Sequence, residues 1–210
     1  DFFMENADLA EGATSDAKVA LVFSWATRKY HRAGAMDWSQ EIDGWSRMLM
    51  EEHLPFDFVV AENVTSPSAF SQYDLVILPN TANTSEAFCT AISEYARGGG
   101  RVLATGETSL FNERGSRLDD FSLGSMLGVS SKQMLEGCFA FGRPDGPEPA
   151  SGVYHVVETT GDILSHRVSV DPAGSVAGAK DPPPLNPTEW PVAVRNACGN
   201  GQSVYVAFDI

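Results

Sequence analysis

The turn after the apolar run at residues 101–105 holds the residue types best placed for chemistry. It reads Thr105-Gly-Glu-Thr-Ser109 and directly follows a strand-like segment. Nucleophilic cysteine catalysis needs a thiol on such a tight elbow, flanked by glycine, with a histidine within reach. The chain contains no Gly-x-Cys-x-Gly, and Glu107 stands where the nucleophile would stand. We therefore assign no catalytic residue to this chain.

Glu107 has two interpretations. A carboxylate at the carboxyl end of a parallel strand lies where open α/β sheets bind ligands. Trp25 ends a predicted strand, and Tyr30 and Asn80 follow predicted strands toward the same edge. These four residues are our ligand-binding candidates, with a carbohydrate or a small metabolite as the ligand. The alternative, which we favour, is that Glu107 caps the following turn and that the aromatic side chains fill a core or an interface.

The cysteines give no metal or redox motif. Cys89, Cys138 and Cys198 lie far apart and form no Cys-x-x-Cys pair. Cysteines in such an odd, unpaired set are typically buried, inert thiols of a protein in a reducing compartment. We therefore predict no metal, no cofactor and a cytoplasmic location.

His31 belongs to the basic cluster of an otherwise acidic chain. The functional interpretation is a contact with an anion or a protein partner. We favour a solvated loop at this position, because polar segments that follow a strand usually face water. The other members of the cluster are Arg28, Lys29, Tyr30 and Arg32.

A βαβ unit at residues 73–107 must position the turn. Leu75–Leu78 is a continuous apolar run, which is typical of a strand covered on both faces. Thr84 or Ser85 can cap a helix over 86–97, and the glycines at 98–100 can end it. Residues 101–105 then predict a second parallel strand, reached by a right-handed crossover.

Strands and helices alternate through the first half of the chain, which predicts an open, doubly wound α/β sheet. Beyond Gly137 the pattern changes to short strands, a proline-dense loop at 181–191 and a closing hairpin that turns at 199–201. We expect three parts: a lead-in segment at 1–17, an α/β domain at 18–129, and a β-rich extension at 130–210 that packs on or extends the same sheet. The predicted strands are 18–25, 56–60, 74–78, 101–105, 153–157 and 166–170, and the predicted helices are 38–53, 86–97 and a short one within 118–127.

Charge and hydropathy exclude two classes of partner. The chain has 210 residues, 43% of them hydrophobic, and a net charge of −14. Binding to nucleic acid or to an anionic membrane surface requires clustered positive charge, which this balance disfavours. No apolar run approaches the roughly 20 residues of a membrane-spanning helix. We therefore expect neither nucleic acid nor a membrane as a partner.

Six segments, taken in order, resemble the β-galactosidase trimerisation domain, which follows the catalytic barrel in family-42 glycoside hydrolases. The resemblance covers residues 18–129 and 191–210. It rests on the order and the residue pattern of the segments rather than on one motif. The segments are VALVFSW, LPFDFVV, YDLVILPN, ISEYARGGGRVLATGE, LGSMLGV and VAVRNACGNGQSVYVAFDI.

The resemblance implies a flavodoxin-like fold of the class I glutamine-amidotransferase type. That fold is an open, mostly parallel sheet with helices on both faces, here followed by a β-rich part that ends in a hairpin. The resemblance also implies a non-catalytic domain that forms homo-oligomers and supports a catalytic barrel in the remaining domains of a parent glycoside hydrolase. On this interpretation the chain is a piece of a longer protein. The alternative is a module that binds a carbohydrate or small metabolite at the carboxyl ends of the strands.

Overall fold

The computed structural model describes residues 11–31, 38–143, 146–170 and 185–208. Short 3₁₀ turns lie at Ala61–Asn63 and Pro67–Phe70. The α-helices of this part of the chain are α1 (Trp25–Tyr30), α2 (Trp38–Glu51), α3 (Glu86–Arg97) and α4 (Gly124–Leu127). The strands are β1 (Val19–Phe23), β2 (Phe56–Val60), β3 (Leu75–Leu78), β4 (Asn83–Thr84), β5 (Arg101–Thr105), β6 (Phe111–Asn112), β7 (Val129–Arg143), β8 (Gly146–Thr159), β9 (Asp162–Val170), β10 (Leu185–Cys198) and β11 (Gly201–Val206).

Nine strands form one mixed sheet in the order β2-β1-β3-β5-β11-β10-β9-β7-β8. The first five strands run parallel to one another. The pairings from β11 to β8 are antiparallel. β4 and β6 form a separate two-stranded ladder.

The parallel half is covered by one helix on each face. Alternating side chains of β1 and β3, such as Leu21 and Ile77, pack against Trp45 and Leu49 of α2. The side chains of the opposite face join a larger core that includes α3. Both faces are therefore apolar, which explains the uninterrupted hydrophobic runs of these strands.

Local signals set the ends of α3. The Ser85 hydroxyl accepts a hydrogen bond from the Phe88 N–H at 3.2 Å, so Ser85 is the N-cap. Gly99 follows the helix with φ of 122°, a conformation that glycine adopts without steric cost. The predicted helix at 86–97 and its capping are confirmed.

The hairpin formed by β10 and β11 enters the middle of the sheet. β11 pairs in parallel with β5, from Gln202 beside Arg101 to Val206 beside Thr105. Gly201 lies so close to the end of α3 that a Cβ at this position would collide with the carbonyl oxygens of Ala96 and Gly100. The last strand of the chain is thus a central strand of the fold.

The antiparallel half curls back onto the centre. β7 and β8 form a long hairpin, paired from Val129–Thr159 to Arg143–Gly146. β8 then meets the segment after β11, where the His155 N–H donates to the Ala207 carbonyl at 2.7 Å. This contact brings β8 to the carboxyl ends of the parallel strands.

The predicted flavodoxin-like fold, with a mostly parallel sheet and helices on both faces, is wrong. Four of the eight pairings between neighbouring strands of the described sheet are antiparallel, and strands dominate over helices. The β-α alternation that suggested the fold stops after β5. Beyond that point β7 to β10 follow one another with no intervening helix in the described residues, and they pair in the antiparallel sense.

No helix in the described residues is both long and apolar enough to cross a membrane.

Candidate functional site

The turn after β5, residues 106–109, is fixed to the neighbouring strand β11. Gly106 and Ser109 have left-handed φ angles of 55° and 68°. The Gly106 N–H donates to the Val206 carbonyl at 3.0 Å, and the Tyr205 hydroxyl donates to the Gly106 carbonyl at 2.8 Å. Glu107, between these anchors, therefore has a defined position at the carboxyl end of the sheet.

Asn80 holds the same turn from the side of β3. Its N–H donates to Oγ1 of Thr105 at 2.8 Å, and its Oδ1 accepts the Glu107 N–H at 2.9 Å. Asn80 has a φ of 38°, in the left-handed region that asparagine tolerates better than most residues. Only 3% of Asn80 is exposed, so its side chain is engaged inside the fold.

The Glu107 carboxylate faces His31, which directly follows α1. The distance from Oε2 of Glu107 to Nε2 of His31 is 3.0 Å, and both side chains are buried. Neither atom has a well-directed hydrogen bond in the described residues, so the contact acts as an ion pair when the imidazole is protonated. The predictions that Glu107 caps the following turn and that His31 lies in a solvated loop are therefore wrong.

The charge state of Glu107 follows from opposing effects. Burial raises its pKa, because the carboxylate loses its hydration. The contact with His31 and the positive charges of His155, His31 and Arg117 act in the opposite direction, and the net result is a pKa below the ordinary glutamate value. Glu107 is thus a carboxylate at neutral pH and is poorly suited to act as a general acid.

His155 of β8 completes a three-residue group with Glu107 and His31, which we name the Glu107 cluster. Only 2% of His155 is exposed, and its Nε2 has no hydrogen-bond partner in the described residues. Burial lowers the pKa of His155 to about 4; Glu107 opposes this shift, while His31 and Arg117 add to it. His155 is therefore neutral at neutral pH.

A second buried carboxylate lies on α2, close to the base of the turn. Glu41 is 1% exposed, and its Oε1 accepts hydrogen bonds from the Thr105 hydroxyl at 2.6 Å and from Nε1 of Trp45 at 3.1 Å. The sequence analysis did not single out Glu41. A signal was present, because Glu41 is spaced three and four residues from Trp38 and Trp45 on the apolar face of the helix.

The four predicted ligand-binding residues fall into two groups. Asn80 and Glu107 are buried and in contact, whereas Trp25 and Tyr30 of α1 are 55% and 45% exposed. The structure therefore does not gather the four side chains around a common opening. Ligand binding by any of them stays a prediction.

The described thiols are not placed for nucleophilic chemistry. Cys89 is buried in α3 and its thiol donates to the Thr84 hydroxyl at 3.2 Å, and burial raises its pKa. Cys198 is buried at the end of β10, and the side chain of Cys138 lies outside the described residues. No hydrogen bond joins a described cysteine to a histidine, and the described part of the chain contains no group of three residues arranged to hold a metal ion.

An open groove of about 670 Å³ lies at the opposite end of the strands. Tyr73, Tyr95 and residues 98–101 contribute to its walls. The groove is therefore remote from the carboxyl ends of the strands and does not expose the Glu107 cluster.

Comparison with known proteins identifies the family. A family model described as the β-galactosidase trimerisation domain matches residues 17–210. The chain belongs to this family. No curated protein matches this trimerisation domain.

Solved structures share the fold of this trimerisation domain at low sequence identity. A β-galactosidase from Bacillus circulans sp. alkalophilus matches 95% of the chain with a TM-score of 0.76 and 21% identity. A cold-adapted β-galactosidase from Rahnella sp. R3 matches 98% with a TM-score of 0.76 and 23% identity. The exo-β-1,4-mannosidase Op5Man5 from Opitutaceae bacterium strain TAV5 matches 99% with a TM-score of 0.62 and 15% identity. The chain spans 30%, 30% and 34% of these proteins respectively, so the similarity concerns one part of each.

Proposed function

We propose that this chain is an oligomerisation and support domain of a glycoside hydrolase and performs no catalytic step itself. The observation that carries the proposal is the family match over residues 17–210. In this proposal the hydrolytic step belongs to a catalytic barrel in another part of the parent protein. The β-galactosidases and the mannosidase with the same fold are each about three times longer than this chain, which leaves room for such a barrel.

The state of the buried carboxylates supports a non-catalytic role. Glycoside hydrolysis requires two carboxyl groups on either side of a sugar-binding cleft. Glu107 is paired with His31, and Glu41 accepts hydrogen bonds from Thr105 and Trp45. Both carboxylates are buried by their own fold.

The Glu107 cluster has a structural task in this proposal. It joins the turn after β5 to the end of α1 through His31, and His155 of β8 lies close enough to Glu107 to interact with it electrostatically. A polar contact between two buried side chains favours one relative arrangement of the elements that supply it. Such a contact would stabilise a domain that presents a fixed surface to other subunits.

The test is the mass of the protein in solution. Light scattering coupled to size-exclusion chromatography, over a hundredfold range of concentration, should give about three times the chain mass of 22.6 kDa. A mass of 22.6 kDa at every concentration would contradict the proposal. A parallel assay with nitrophenyl glycosides should show no turnover, and turnover that is lost in Glu107→Gln would contradict the non-catalytic role.

A further inference from the structure

An exposed aromatic and basic surface lies on α1 and on the turn after β6, residues 113–117. Trp25 and Tyr30 are among the exposed large apolar side chains of the structure. The Arg28 guanidinium lies 5.4 Å from the centre of the Trp25 ring, and the Lys29 ammonium lies 4.8 Å from the centre of the Tyr30 ring. The described residues offer neither cation an acidic partner. We name this the α1 surface.

The α1 surface is held rigidly by contacts beneath it. Ser24 caps the helix by accepting the Thr27 N–H at 3.0 Å, and Glu62 accepts the Ala26 N–H at 2.9 Å. His31 anchors the other end of the helix in the Glu107 cluster. Exposed aromatic and arginine side chains on a pre-ordered element lose little conformational entropy on binding, which suits them to be interface anchors.

The turn after β6 extends this surface and its positive charge. Gly115 packs directly against Tyr30, so close that an added Cβ would lie 3.0 Å from the Cβ of Tyr30. Arg114 and Arg117, on either side of Gly115, are both exposed. Four of the chain's 14 basic side chains thus lie on the α1 surface beside one acidic residue, Glu113, which lies 3.8 Å from Arg114, whereas the chain as a whole has a net charge of −14.

A surface of the opposite character runs from the end of α2 to β2, the edge strand of the sheet. Met50, Leu54 and Phe58 are 61%, 47% and 54% exposed. Asp43, two helical turns before Met50, and Glu52 are exposed and acidic, while the nearby Arg47 is paired with Glu51 at 2.9 Å. We name the three apolar residues, together with Asp43 and Glu52, the α2–β2 surface.

We propose that the α1 surface of one copy of this chain docks on the α2–β2 surface of a second copy. Aromatic and apolar side chains would meet at the centre of this contact, and the basic residues of one copy would face the acidic residues of the other. A two-fold contact of the α1 surface with itself would instead bring like charges together. A contact between two different surfaces is head-to-tail, and it closes into a ring when its rotation divides a full turn.

This inference rests on the proposed function and adds the surfaces through which the subunits meet. A three-subunit ring requires a head-to-tail contact, because a two-fold contact produces dimers. The complementary character of the two surfaces provides the two different patches that such a ring needs.

The test uses a charge swap, followed by sedimentation equilibrium. The double variant Arg28→Glu with Lys29→Glu should raise the dissociation constant by about tenfold or more, because each contact then opposes like charges. The double variant Asp43→Lys with Glu52→Lys should weaken assembly similarly. Combining all four substitutions should recover most of the wild-type assembly. Assembly of the wild type should also weaken as NaCl rises from about 0.05 M to about 0.5 M.

Matched controls separate this contact from a general effect of charge. Lys132→Glu with Arg195→Glu makes the same charge change at exposed sites of the antiparallel half, and should leave assembly within about twofold of wild type. Circular dichroism melting of each variant checks that the fold is intact. A wild-type oligomer that the α1 reversals leave unchanged, or that the combined variant fails to restore, would overturn this inference but not the proposed function. A wild type that remains a monomer would overturn both.

Discussion

His155 should make the protein lose stability as the pH falls from about 7 to about 5, and His155→Leu should abolish this loss. The imidazole is 2% exposed and its Nε2 has no hydrogen-bond partner in the described residues. Leucine has a similar volume and no group to protonate, so the variant removes the titration without deleting an observed Nε2 hydrogen bond.

The magnitude follows from the difference between the folded and unfolded pKa values. The pKa of His155 is about 4 in the folded protein, and it is about 6.5 in an unfolded chain. Because the folded pKa is the lower one, the unfolded state takes up the proton first, and stability is lost progressively as the pH falls from about 6.5 to about 4. Proton linkage therefore lowers the free energy of unfolding by about 2 kcal/mol between about pH 7 and pH 5, and by at most about 3 kcal/mol in stronger acid. Glu107, whose folded pKa is lowered, stays charged in this window and contributes little to the change.

Urea unfolding followed by circular dichroism at several pH values measures the effect. The free energy of unfolding of His155→Leu, relative to wild type, should rise by about 2 kcal/mol from about pH 7 to pH 5. Val157→Ala is the control, because it changes a buried, non-titrating side chain of the same strand and should shift stability by a constant amount. Parallel curves for His155→Leu and wild type would refute the claim that burial keeps this imidazole neutral.

Two further substitutions test the contacts that fix the fold. Glu107→Gln removes the charge opposite His31 and should cost about 2 kcal/mol or more of unfolding free energy at neutral pH. Because the folded pKa of Glu107 is lowered, this difference should shrink as the pH falls below about 4.5, and a difference in urea unfolding that persists unchanged in acid would contradict the pairing. Gly201→Ala should cost about 2 kcal/mol or more, because its Cβ would meet the Ala96 and Gly100 carbonyls. If Gly201→Ala melted at the same temperature as the wild type, β11 would not approach α3 as closely as described.

Local sequence was sufficient for most elements of the parallel half, although α1, at Trp25–Tyr30, was predicted as the end of a strand and a loop. The strands at 56–60 and 101–105 and the helix at 86–97 lie where they were predicted. The signals are short-range: apolar runs, a serine N-cap and glycines that end a helix. Each depends on residues within one or two turns of chain, so no knowledge of the tertiary structure was needed.

The antiparallel half was harder to predict, and the fold class was wrong for that reason. β7, at Val129–Arg143, was not predicted, and most of β8 and the first four residues of β9 lie outside the predicted strands. Met134 and Leu135 of β7 are adjacent apolar residues, and Phe141 lies between Ala140 and Gly142, so the alternation expected of a half-buried strand is weak. Whether such a strand pairs in parallel or antiparallel depends on partners far away in the sequence, and this information is not local.

The sequence by itself indicated the family and the longer strands and helices through β5, but not α1 or β4. Apolar runs, caps and the order of the six segments can be recognised without a structure. Only the tertiary structure decided how the second half joins the sheet and what Glu107 contacts. His31, Glu107 and His155 come from three distant parts of the chain and meet only because β8 curls back to the carboxyl ends of the parallel strands. A glutamate in a solvated turn and a glutamate in a buried contact are identical in the sequence. Only the folded structure shows which partners surround the side chain.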